Sequence, residues 1–378
     1  MKWIADQKSF DEVMEKLGRE PILAIDTEAD SLHSYFDKVC LIQISAGGED
    51  YLIDPLSKID IAGLGPLLAS DRITKVFHGA DYDLRILNRD FGFVISNLID
   101  TMVSAQLLGY DAFGLAALLQ KHFGITVDKT HQRADWSQRP LGAPLLAYAA
   151  LDTQYLVQLA AILRKELEAL GRWDWAVEEF ERLSAIRWTG AEPDEDAFRK
   201  IKGSARLERR GLAILKRLHA WRDAEARAMD RPPFKVLNNE TLLTISTEMP
   251  RALDELKKIR GVSGWHLRKW GNDLVSIVNA AIGLAEGELP EKKQGKAWIR
   301  DKELERAIGS LRDIRDARAK ELGLDASVLA PRHVLAAIAS ARPATVSELD
   351  SIPAMRQWQK SVFGAALIAA MADRKAPA

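Results

Sequence analysis

The sequence predicts an α/β domain built on a mixed sheet, followed by two small all-α domains. Short apolar runs alternate with helical patterns over about the first 110 residues, and helical patterns dominate beyond them. Part of the second half repeats at an offset of 93 residues. With 378 residues, 47% of them hydrophobic and 28% charged, the chain has enough apolar material for several cores and is not mainly disordered.

The predicted elements of the first domain follow from short local patterns. Four apolar runs are typical of buried strands: 21–26, 39–44, 51–53 and 73–77. The segment Ser9–Glu12 fits a capping box, which predicts a helix to about Leu17. Asp81 is expected to cap a helix that runs to about Asn88.

The repeat divides the second half of the chain in two. The positions that coincide are mostly apolar, so they indicate one core built twice: Pro250 and Pro343, Leu256 and Leu349, Ile259 and Ile352, Trp265 and Trp358, Trp270 and Phe363, Gly271 and Gly364, Leu274 and Leu367. We therefore predict domains over 1–195, 196–290 and 291–378, with connectors at 192–196 and 286–295. By the same pattern Trp265 and Trp270 are expected in the core rather than as a stacking surface.

The charge is distributed unevenly. Residues 1–190 carry 19 Lys and Arg against 28 Asp and Glu, whereas residues 191–378 carry 34 against 26. The segment 199–285 alone has 18 basic and 9 acidic residues. An acidic front half joined to a basic module points to a metal site in one and a polyanion in the other, although two solvated surfaces can also differ by chance.

The composition also argues against several classes of protein: disulfide-rich, secreted, membrane-spanning and dinucleotide-binding. One cysteine, Cys40, can form neither an internal disulfide nor a thiolate cage for a metal. The longest apolar run, 362–372, is about half a membrane span, and the N-terminus lacks a signal-peptide pattern. We therefore expect a cytoplasmic protein with no membrane segment. Dinucleotide chemistry has no support, because no Gly-x-Gly-x-x-Gly follows a strand.

Two carboxylates lie at the C-terminal end of the first predicted buried strand. Asp26 and Glu28 are two residues apart, so they share one face of the strand and can converge on one cation. Hard divalent ions such as Mg²⁺ take oxygen ligands of this kind. Asp-x-Glu also occurs at Asp223 and Asp301, but in charged helical stretches that are typical of solvated surface.

Two further signals add acidic groups to this edge. Asp83 follows the fourth strand, where its side chain either faces Asp26 or complements the dipole of its helix. Tyr148 and Asp152 are four apart within an apolar helix, which places phenol and carboxylate on one face. A carboxylate on a half-buried face needs a cation or hydrogen-bond donors.

In order and context these motifs resemble the DEDD superfamily of 3′–5′ exonucleases. The tyrosine four residues before the last aspartate is similar to that of its tyrosine branch, and two further segments, Asp100-Thr101 and 135–141, are similar to the ribonuclease D pattern. The resemblance covers roughly residues 1–175. The segment 204–283 resembles the HRDC domain, and 300–372 resembles a diverged second copy, so that the chain is similar to bacterial ribonuclease D from end to end.

The resemblance implies a ribonuclease H-like exonuclease domain and a metal-dependent 3′–5′ exoribonuclease. It implies release of nucleoside 5′-monophosphates from RNA by a monomer, with tRNA precursors among the substrates, and two Mg²⁺ or Mn²⁺ ions about 4 Å apart. The family pattern implies that Asp26, Glu28 and Asp152 hold the first ion and that Asp83 supports the second. Tyr148 is too weak a base, since a phenol titrates near pH 10, and is expected to orient the attacking water.

The sequence predicts the residues that contact the substrate less clearly. Leu32 and His33 follow the Asp-x-Glu strand and either wedge against the terminal base or pack locally. His78 and Asp100 are further candidates for substrate binding. For Trp136 and Arg139, contact with the terminal nucleotides and buttressing of the Tyr148 helix are equal alternatives.

Two other functions share these features. A DNA-directed 3′–5′ exonuclease would use the same carboxylates, but nothing in the chain resembles a polymerase. A non-catalytic nucleic-acid-binding protein is favoured only where a motif carboxylate is missing, and none is missing here.

Overall fold

The computed structural model describes residues 1–128, 130–190, 194–292 and 301–372. Within them the chain forms two compact units. The first unit comprises Met1–Ala29, Val39–Trp188 and Arg300–Ala378, and the second comprises Asp30–Lys38 and Thr189–Ile299. The predicted three-domain boundaries stay a prediction. Of the predicted connectors, residues 192–193 and 293–295 lie outside the described residues.

The first unit is built on a six-stranded sheet. Its strands are β1 (Lys2–Ile4), β2 (Ile22–Ala29), β3 (Val39–Ala46), β4 (Glu49–Ile53), β5 (Thr74–Phe77) and β6 (Leu98–Asp100). Their order is β1-β4-β3-β2-β5-β6, with β2–β3 and β3–β4 antiparallel and the other pairs parallel. The predicted mixed sheet is therefore confirmed, and β2 lies at its centre. The short strands β1 and β6 were not predicted.

Eight helices surround this sheet. They are α1 (Gln7–Leu17), α2 (Leu64–Ala69), α3 (Asp81–Phe91), α4 (Thr101–Leu107), α5 (Leu115–Phe123), α6 (Ala143–Gln154), α7 (Leu156–Ala169) and α8 (Trp173–Ser184). The predicted cap of α1 is wrong: Asp6 accepts a hydrogen bond from the Ser9 amide at 3.0 Å, so α1 begins before Ser9. The predicted cap of α3 is also wrong: Ala80 holds the cap position, and Asp81 is the first residue of the helix, where it pairs with Arg85 at 2.9 Å.

The helices α6 and α7 form one apolar stretch. By length and composition alone Ala143–Ala169 passes as a membrane span, and no other helix of the described residues does. In the fold, however, α6 packs on β2, β3 and β4, and α7 packs on β2, β5 and α4. A soluble core helix passes the same test, and this packing identifies the stretch as a core helix pair of the first unit.

The second unit is helical. Its helices are α9 (Arg209–Ala228), α10 (Pro233–Val236), α11 (Asn239–Glu248), α12 (Leu253–Leu256) and α13 (Gly264–Ile282), with 3₁₀ turns at Ala197–Lys200, Ser204–Arg206 and Glu286–Glu288. The segment Asp30–Lys38 packs on α9. Within it the Tyr35 hydroxyl donates to Asp223 at 2.9 Å, and the Phe36 amide donates to Asp230 at 3.0 Å.

The C-terminal helices belong to the first unit. They are α14 (Lys302–Leu322), α15 (Ala326–Leu329), α16 (Arg332–Ala341), α17 (Gln357–Gln359) and α18 (Ala365–Ala372), with a 3₁₀ turn at Ser347–Ser351 and a π-helical turn at Lys360–Gly364. The Trp358 ring stacks on Trp175 of α8 at 4.9 Å between centroids, and Arg356 pairs with Glu179 of α8 at 2.9 Å. This module is thus fastened to the last helix of the α/β domain.

Candidate active site

The site begins on the central strand. Asp26 and Glu28 lie in the C-terminal half of β2, and their side chains share one face of the sheet, which α6 covers. Because side chains alternate along a strand, the neighbouring Ile25 points to the opposite face, where it is buried in the main apolar core. The strand is central and paired on both sides, so both carboxylates stand on a rigid support.

Helix α6 brings a third carboxylate to this face. Asp152 offers an oxygen that lies within 4.8 Å of oxygens of Asp26 and Glu28, and the three are each partly buried. The neighbouring Thr153 hydroxyl lies 2.7 Å from the Ser45 hydroxyl of β3, which fixes how α6 sits on the sheet. Residues about 125 positions apart in sequence therefore meet at one point.

Asp83 lies beside this group without joining it. Its carboxylate accepts a short hydrogen bond from the Thr27 hydroxyl, on the β2 residue between Asp26 and Glu28. It does not belong to the group of three carboxylates whose oxygens lie within 4.8 Å of one another. Its charge nevertheless reaches both β2 carboxylates, since it raises the pKa of Asp26 and of Glu28.

The three carboxylates open into a cavity of about 520 Å³. Its lining consists of Asp26, Glu28, His78, Gly114, Leu115, Ala116, Ala117, Val127, Gln132, Tyr148 and Asp152. No lysine or arginine is among these described lining residues. No lysine or arginine of the described lining therefore neutralises these negative charges.

Burial and mutual repulsion hold these acids partly protonated. Burial, followed by the charges of Asp152 and Asp83, raises the pKa of Glu28 to about 9. Burial raises the pKa of Asp83 and of Asp152 to about 7 each. The pKa of Asp26 is raised well above its usual value, by burial first and then by Asp83, Asp152 and Glu28.

This donor set fits a hard divalent cation. Carboxylate oxygens are the ligands that Mg²⁺ and Mn²⁺ take, and the cavity contributes neither thiolate nor ammonium groups from its described lining. A cation would also offset the repulsion that contributes to the raised pKa values of Asp26 and Glu28. Asp26, Glu28 and Asp152 are the residues that would hold it, with Asp83 adjacent.

Tyr148 lies in the cavity wall one helical turn before Asp152. Burial, then the charges of Asp152, Glu28 and Asp26, raises the pKa of its phenol above the usual value of 10. The hydroxyl therefore stays protonated and can donate a hydrogen bond. Its ring packs 6.2 Å from the Trp136 ring and 6.1 Å from the His131 ring, between centroids.

Trp136 and Arg139 occupy buttressing positions rather than the cavity surface. The Trp136 side chain is 1% exposed beneath Tyr148, so a nucleotide cannot reach it in this conformation. Arg139 pairs with Asp54 through Nε at 2.8 Å and Nη2 at 2.6 Å, and Nη2 also donates to the Cys40 carbonyl at 2.7 Å. Its guanidinium is thus occupied by protein partners.

Asp100 also has a structural role. It is 1% exposed, and one oxygen accepts from the Met102 and Val103 amides of α4 while the other accepts from the Ala80 amide at 2.8 Å. It caps α4 and fixes the turn that follows β5. His78 of that turn does line the cavity, and its Nδ1 lies 2.9 Å from the Thr101 hydroxyl.

Leu32 and His33 belong to the second unit and are not part of the carboxylate group. Leu32 is an exposed side chain, and the His33 ring lies 3.3 Å from the Lys235 ammonium. Their contact with an RNA end stays a prediction.

One polar residue near the site was not predicted. Gln43 of β3 lies directly opposite Asp26 in the antiparallel pairing, so both point to the face under α6. The side chain is fully buried, and neither amide atom has a hydrogen-bond partner among the described residues. A lone amide in the apolar run 39–44 is the signal that could have revealed it.

Comparisons with known proteins identify the families that the chain resembles. The family described as 3′–5′ exonuclease matches residues 1–168, and the HRDC domain family matches 211–278 and 305–371. The chain is 34% identical to ribonuclease D of Gluconacetobacter diazotrophicus over 93% of its length and 88% of the relative. It is 30% identical to ribonuclease D of Pseudomonas paraeruginosa over 98% and 97%.

Solved structures give the same likeness. Escherichia coli RNase D, an exoribonuclease involved in structured RNA processing, superimposes with a TM-score of 0.71 at 28% identity, covering 98% of each chain. The catalytic core of RRP6 from Trypanosoma brucei superimposes with a TM-score of 0.68 at 29% identity, covering 74% of this chain and 79% of that one. The predicted fold class and the second, diverged HRDC module are confirmed.

Proposed function

The chain belongs to the ribonuclease D family, and from this premise we propose that it trims RNA from the 3′ end with two divalent metal ions. It is a 3′–5′ exoribonuclease. In this proposal the ions are Mg²⁺ or Mn²⁺, the products are nucleoside 5′-monophosphates, and the substrates are structured RNAs, foremost tRNA precursors. The observation that most supports them is the convergence of Asp26, Glu28 and Asp152 within 4.8 Å.

The metal-holding residues have distinct roles in this proposal. Asp26 would help to hold both ions, whereas Glu28 and Asp152 would hold one of them. Asp83, tied to the Thr27 hydroxyl, supports the second. When bound, such ions activate the attacking water and stabilise the leaving oxygen. The chain works in the cytoplasm as a monomer in this proposal.

Tyr148 positions the attacking water. Because its pKa is raised, the phenol remains a donor at every physiological pH, so it orients the water rather than deprotonating it. The terminal nucleotide lies against the rest of the described cavity wall, which consists of His78, residues 114–117, Val127 and Gln132. The Trp136 ring holds Tyr148 from behind.

One assay tests the proposed function. A single-stranded RNA carrying a label at its 3′ end should yield labelled nucleoside 5′-monophosphate with Mg²⁺ or Mn²⁺ and none with chelator. The same RNA blocked by a 3′-phosphate should resist. Equal hydrolysis of blocked RNA, hydrolysis in chelator, or preference for DNA of the same sequence would contradict the proposal.

Replacing Tyr148 with phenylalanine tests the positioning of the water. Tyr148→Phe keeps the ring packing and loses one donor, so kcat should fall by roughly 10²–10³-fold while KM changes little. Tyr155→Phe is the matched control, because Tyr155 lies at the end of the same helix but packs on Phe123 at 5.3 Å. An unchanged kcat in Tyr148→Phe would remove Tyr148 from the mechanism.

Replacing Gln43 with leucine should separate stability from metal binding. Leucine removes a buried amide without partners, which costs roughly 1–3 kcal/mol, so the metal-free protein should unfold at higher temperature. Because neither amide atom is bonded to Asp26, calorimetry should show an almost unchanged Mn²⁺ affinity. The control Ser45→Ala, which loses bonds to Asp50 and Thr153, should lower stability. A less stable Gln43→Leu protein would contradict the expectation that the unpaired Gln43 amide destabilises the fold.

A further inference from the structure

The second HRDC module differs from the first in what covers its equivalent tryptophan. Trp265 of the first module is 44% exposed, so the expectation that it lies in the core is wrong, whereas Trp270 is buried as expected. Trp358, its counterpart in the second module, is 4% exposed because it stacks on Trp175 of α8. Residues 286–378 carry 16 basic and 13 acidic side chains. Nearly balanced charge and packing on α8 favour support of the α/β domain over contact with a polyanion.

One buried cation joins the second module to the α/β domain. Arg172 is 8% exposed and lies between α7 and α8. Its Nη1 donates to the Leu107 carbonyl at 2.8 Å, and its Nη2 donates to the Leu322 carbonyl at 2.6 Å. These carbonyls belong to the last residues of α4 and α14, where a helix leaves its carbonyls unpaired and partly negative. The guanidinium therefore holds the ends of two helices together.

The chain that leaves α4 also contacts α14 directly. Gly109 has φ +80°, and a Cβ at this position would overlap the carbonyl oxygen of Gly323. Gly323 is itself the left-handed residue that ends α14, at φ +63°. Any side chain at position 109 would therefore push the loop 108–114 away from α14.

The next residue connects this contact to α5. The Tyr110 hydroxyl donates to Glu166 of α7 at 2.6 Å. The Lys121 ammonium lies 3.1 Å from the centroid of the Tyr110 ring, and the His122 ring stacks on the same ring at 5.9 Å. Lys121 and His122 both belong to α5. Tyr110 thus links α5 to the loop that Gly109 seats on α14.

The first turn of α5 faces the carboxylates. Residues 114–117 line the cavity into which Asp26, Glu28 and Asp152 open. None of the described side chains caps the start of this helix. Its placement therefore depends on its apolar packing against α7 and on its contacts with Tyr110.

We propose that Arg172 and Gly109 are positioning residues of the exonuclease reaction, with the second HRDC module as the support on which they hold the cavity wall. The two residues fix the loop 108–114 on the end of α14, and Tyr110 connects this loop to α5. The first turn of α5 then sets where the terminal nucleotide lies against the carboxylates. The inference rests on the proposed function for its substrate, and it gives the second module a part in the reaction that needs no contact with RNA.

Gly109→Ala tests the contact with α14. Because the added methyl group displaces the loop, kcat on the RNA with a 3′ label should fall roughly 10- to 100-fold, the cost of misplacing a substrate by about 1 Å. Mn²⁺ should still bind with wild-type affinity and full stoichiometry in calorimetry, because the three carboxylates lie on β2 and α6. Full stoichiometry also shows that the variant is folded.

Gly92→Ala is the matched control. Gly92 has φ +70°, and no atom lies within 4 Å of the place that its Cβ would take. This variant therefore has a similar backbone strain without the overlap, and its kcat should equal that of the wild type.

Replacements of Arg172 test the other half of the junction. Arg172→Met keeps an apolar stem but leaves both helix-end carbonyls without their donor, so kcat should fall as in Gly109→Ala. Arg172→Lys should recover part of this loss, because an ammonium on a shorter side chain reaches one carbonyl but does not span both. Mn²⁺ binding should again be unchanged in both variants.

Hydrogen exchange gives a readout that needs no hydrolysis. With chelator present, the hydrogen-bonded amides of 117–123 should exchange faster in Gly109→Ala and Arg172→Met than in the wild type, and at the wild-type rate in Gly92→Ala. Wild-type kcat in Gly109→Ala and Arg172→Met, or wild-type exchange in α5, overturns the inference. A wild type that leaves RNA intact refutes the proposed function and the positioning role together, whereas an active wild type with unaffected variants refutes the positioning role alone.

Discussion

Asp26→Asn is expected to abolish hydrolysis and to make the metal-free protein more stable. Asn keeps the shape of the side chain but removes one charge from a buried acidic group. Loss of a ligand shared by two ions should reduce kcat by roughly 10³-fold or more, since each ion contributes several kcal/mol to the transition state. The RNA assay with a 3′ label measures this loss.

The gain in stability has a separate cause. Burial and three neighbouring carboxylates raise the pKa of Asp26, so at pH 8 folding must either ionise it at a cost or take up a proton. Asn avoids both, and the thermal midpoint of the metal-free protein at pH 8 should rise on the order of 5 °C. The opposite signs of the two effects distinguish a functional charge from a structural one.

Asp301→Asn provides the matched control. Asp301 also opens an Asp-x-Glu sequence, but it caps α14 by accepting from the Glu303 and Leu304 amides at 3.0 and 2.9 Å. Asparagine caps equally well, so neither activity nor stability should change appreciably. Hydrolysis by Asp26→Asn, or a lower thermal midpoint without metal, would refute the assignment of Asp26.

The sheet and the site differ in how much local sequence reveals. Each of the four carboxylates follows an apolar run or interrupts one. This context indicates a carboxylate that is at least partly buried and therefore has a specific role. Local pattern also predicted the four longer strands. The strands β1 and β6, at three residues each, are too short to show a period and are defined only by their parallel partners.

Partners distant in sequence decided what local pattern left open. Arg139 is a buttress because Asp54, 85 positions away, receives its guanidinium. Asp100 is a structural cap because the turn after β5 returns its amides to it. The partner of Arg139 has no local signature, which is why the sequence left nucleotide contact and buttressing as equal alternatives for that residue.

In the HRDC repeat, too, the local sequence does not reveal which distant element packs on a given residue. Matched aromatic positions indicate that a module was duplicated, and the family comparison confirms it. They do not say what covers each ring. Trp358 is buried because α8 supplies Trp175 and Glu179, whereas no described ring lies parallel on Trp265. Burial at equivalent positions is thus set by neighbouring elements rather than by the module.

The stabilisation of the protein by Mg²⁺ or Mn²⁺ is expected to grow as pH rises from 6 to 9. In the metal-free protein, Glu28 has a pKa of about 9, and Asp83 and Asp152 have pKa values of about 7, all above their ordinary values. The folded state then binds more protons than the unfolded state. These groups contribute stability that is complete below about pH 4 and is lost as pH rises through 7 and 9.

Divalent metal reverses this loss because it binds the ionised carboxylates in place of protons. Other groups titrate in the same range with the opposite sign: burial lowers the pKa of Lys75 to about 8 and also lowers that of His78. The difference in thermal midpoint with and without metal largely removes the Lys75 contribution, since Lys75 is not part of the cavity lining. That difference, measured at pH 6, 7, 8 and 9, should increase steadily.

Two further measurements separate the carboxylate group from general effects of ionic strength. Calorimetric titration at pH 7 should show proton release on binding of Mn²⁺, seen as a heat that depends on the buffer's ionisation enthalpy. In Asp26→Asn both the release and the pH dependence should shrink, because the variant lacks one of the three carboxylates that would hold the ion and the proton that its raised pKa retains. A metal-induced shift that is the same at pH 6 and pH 9 would mean that the ions do not bind at Asp26, Glu28 and Asp152, and the proposed mechanism would fail with it.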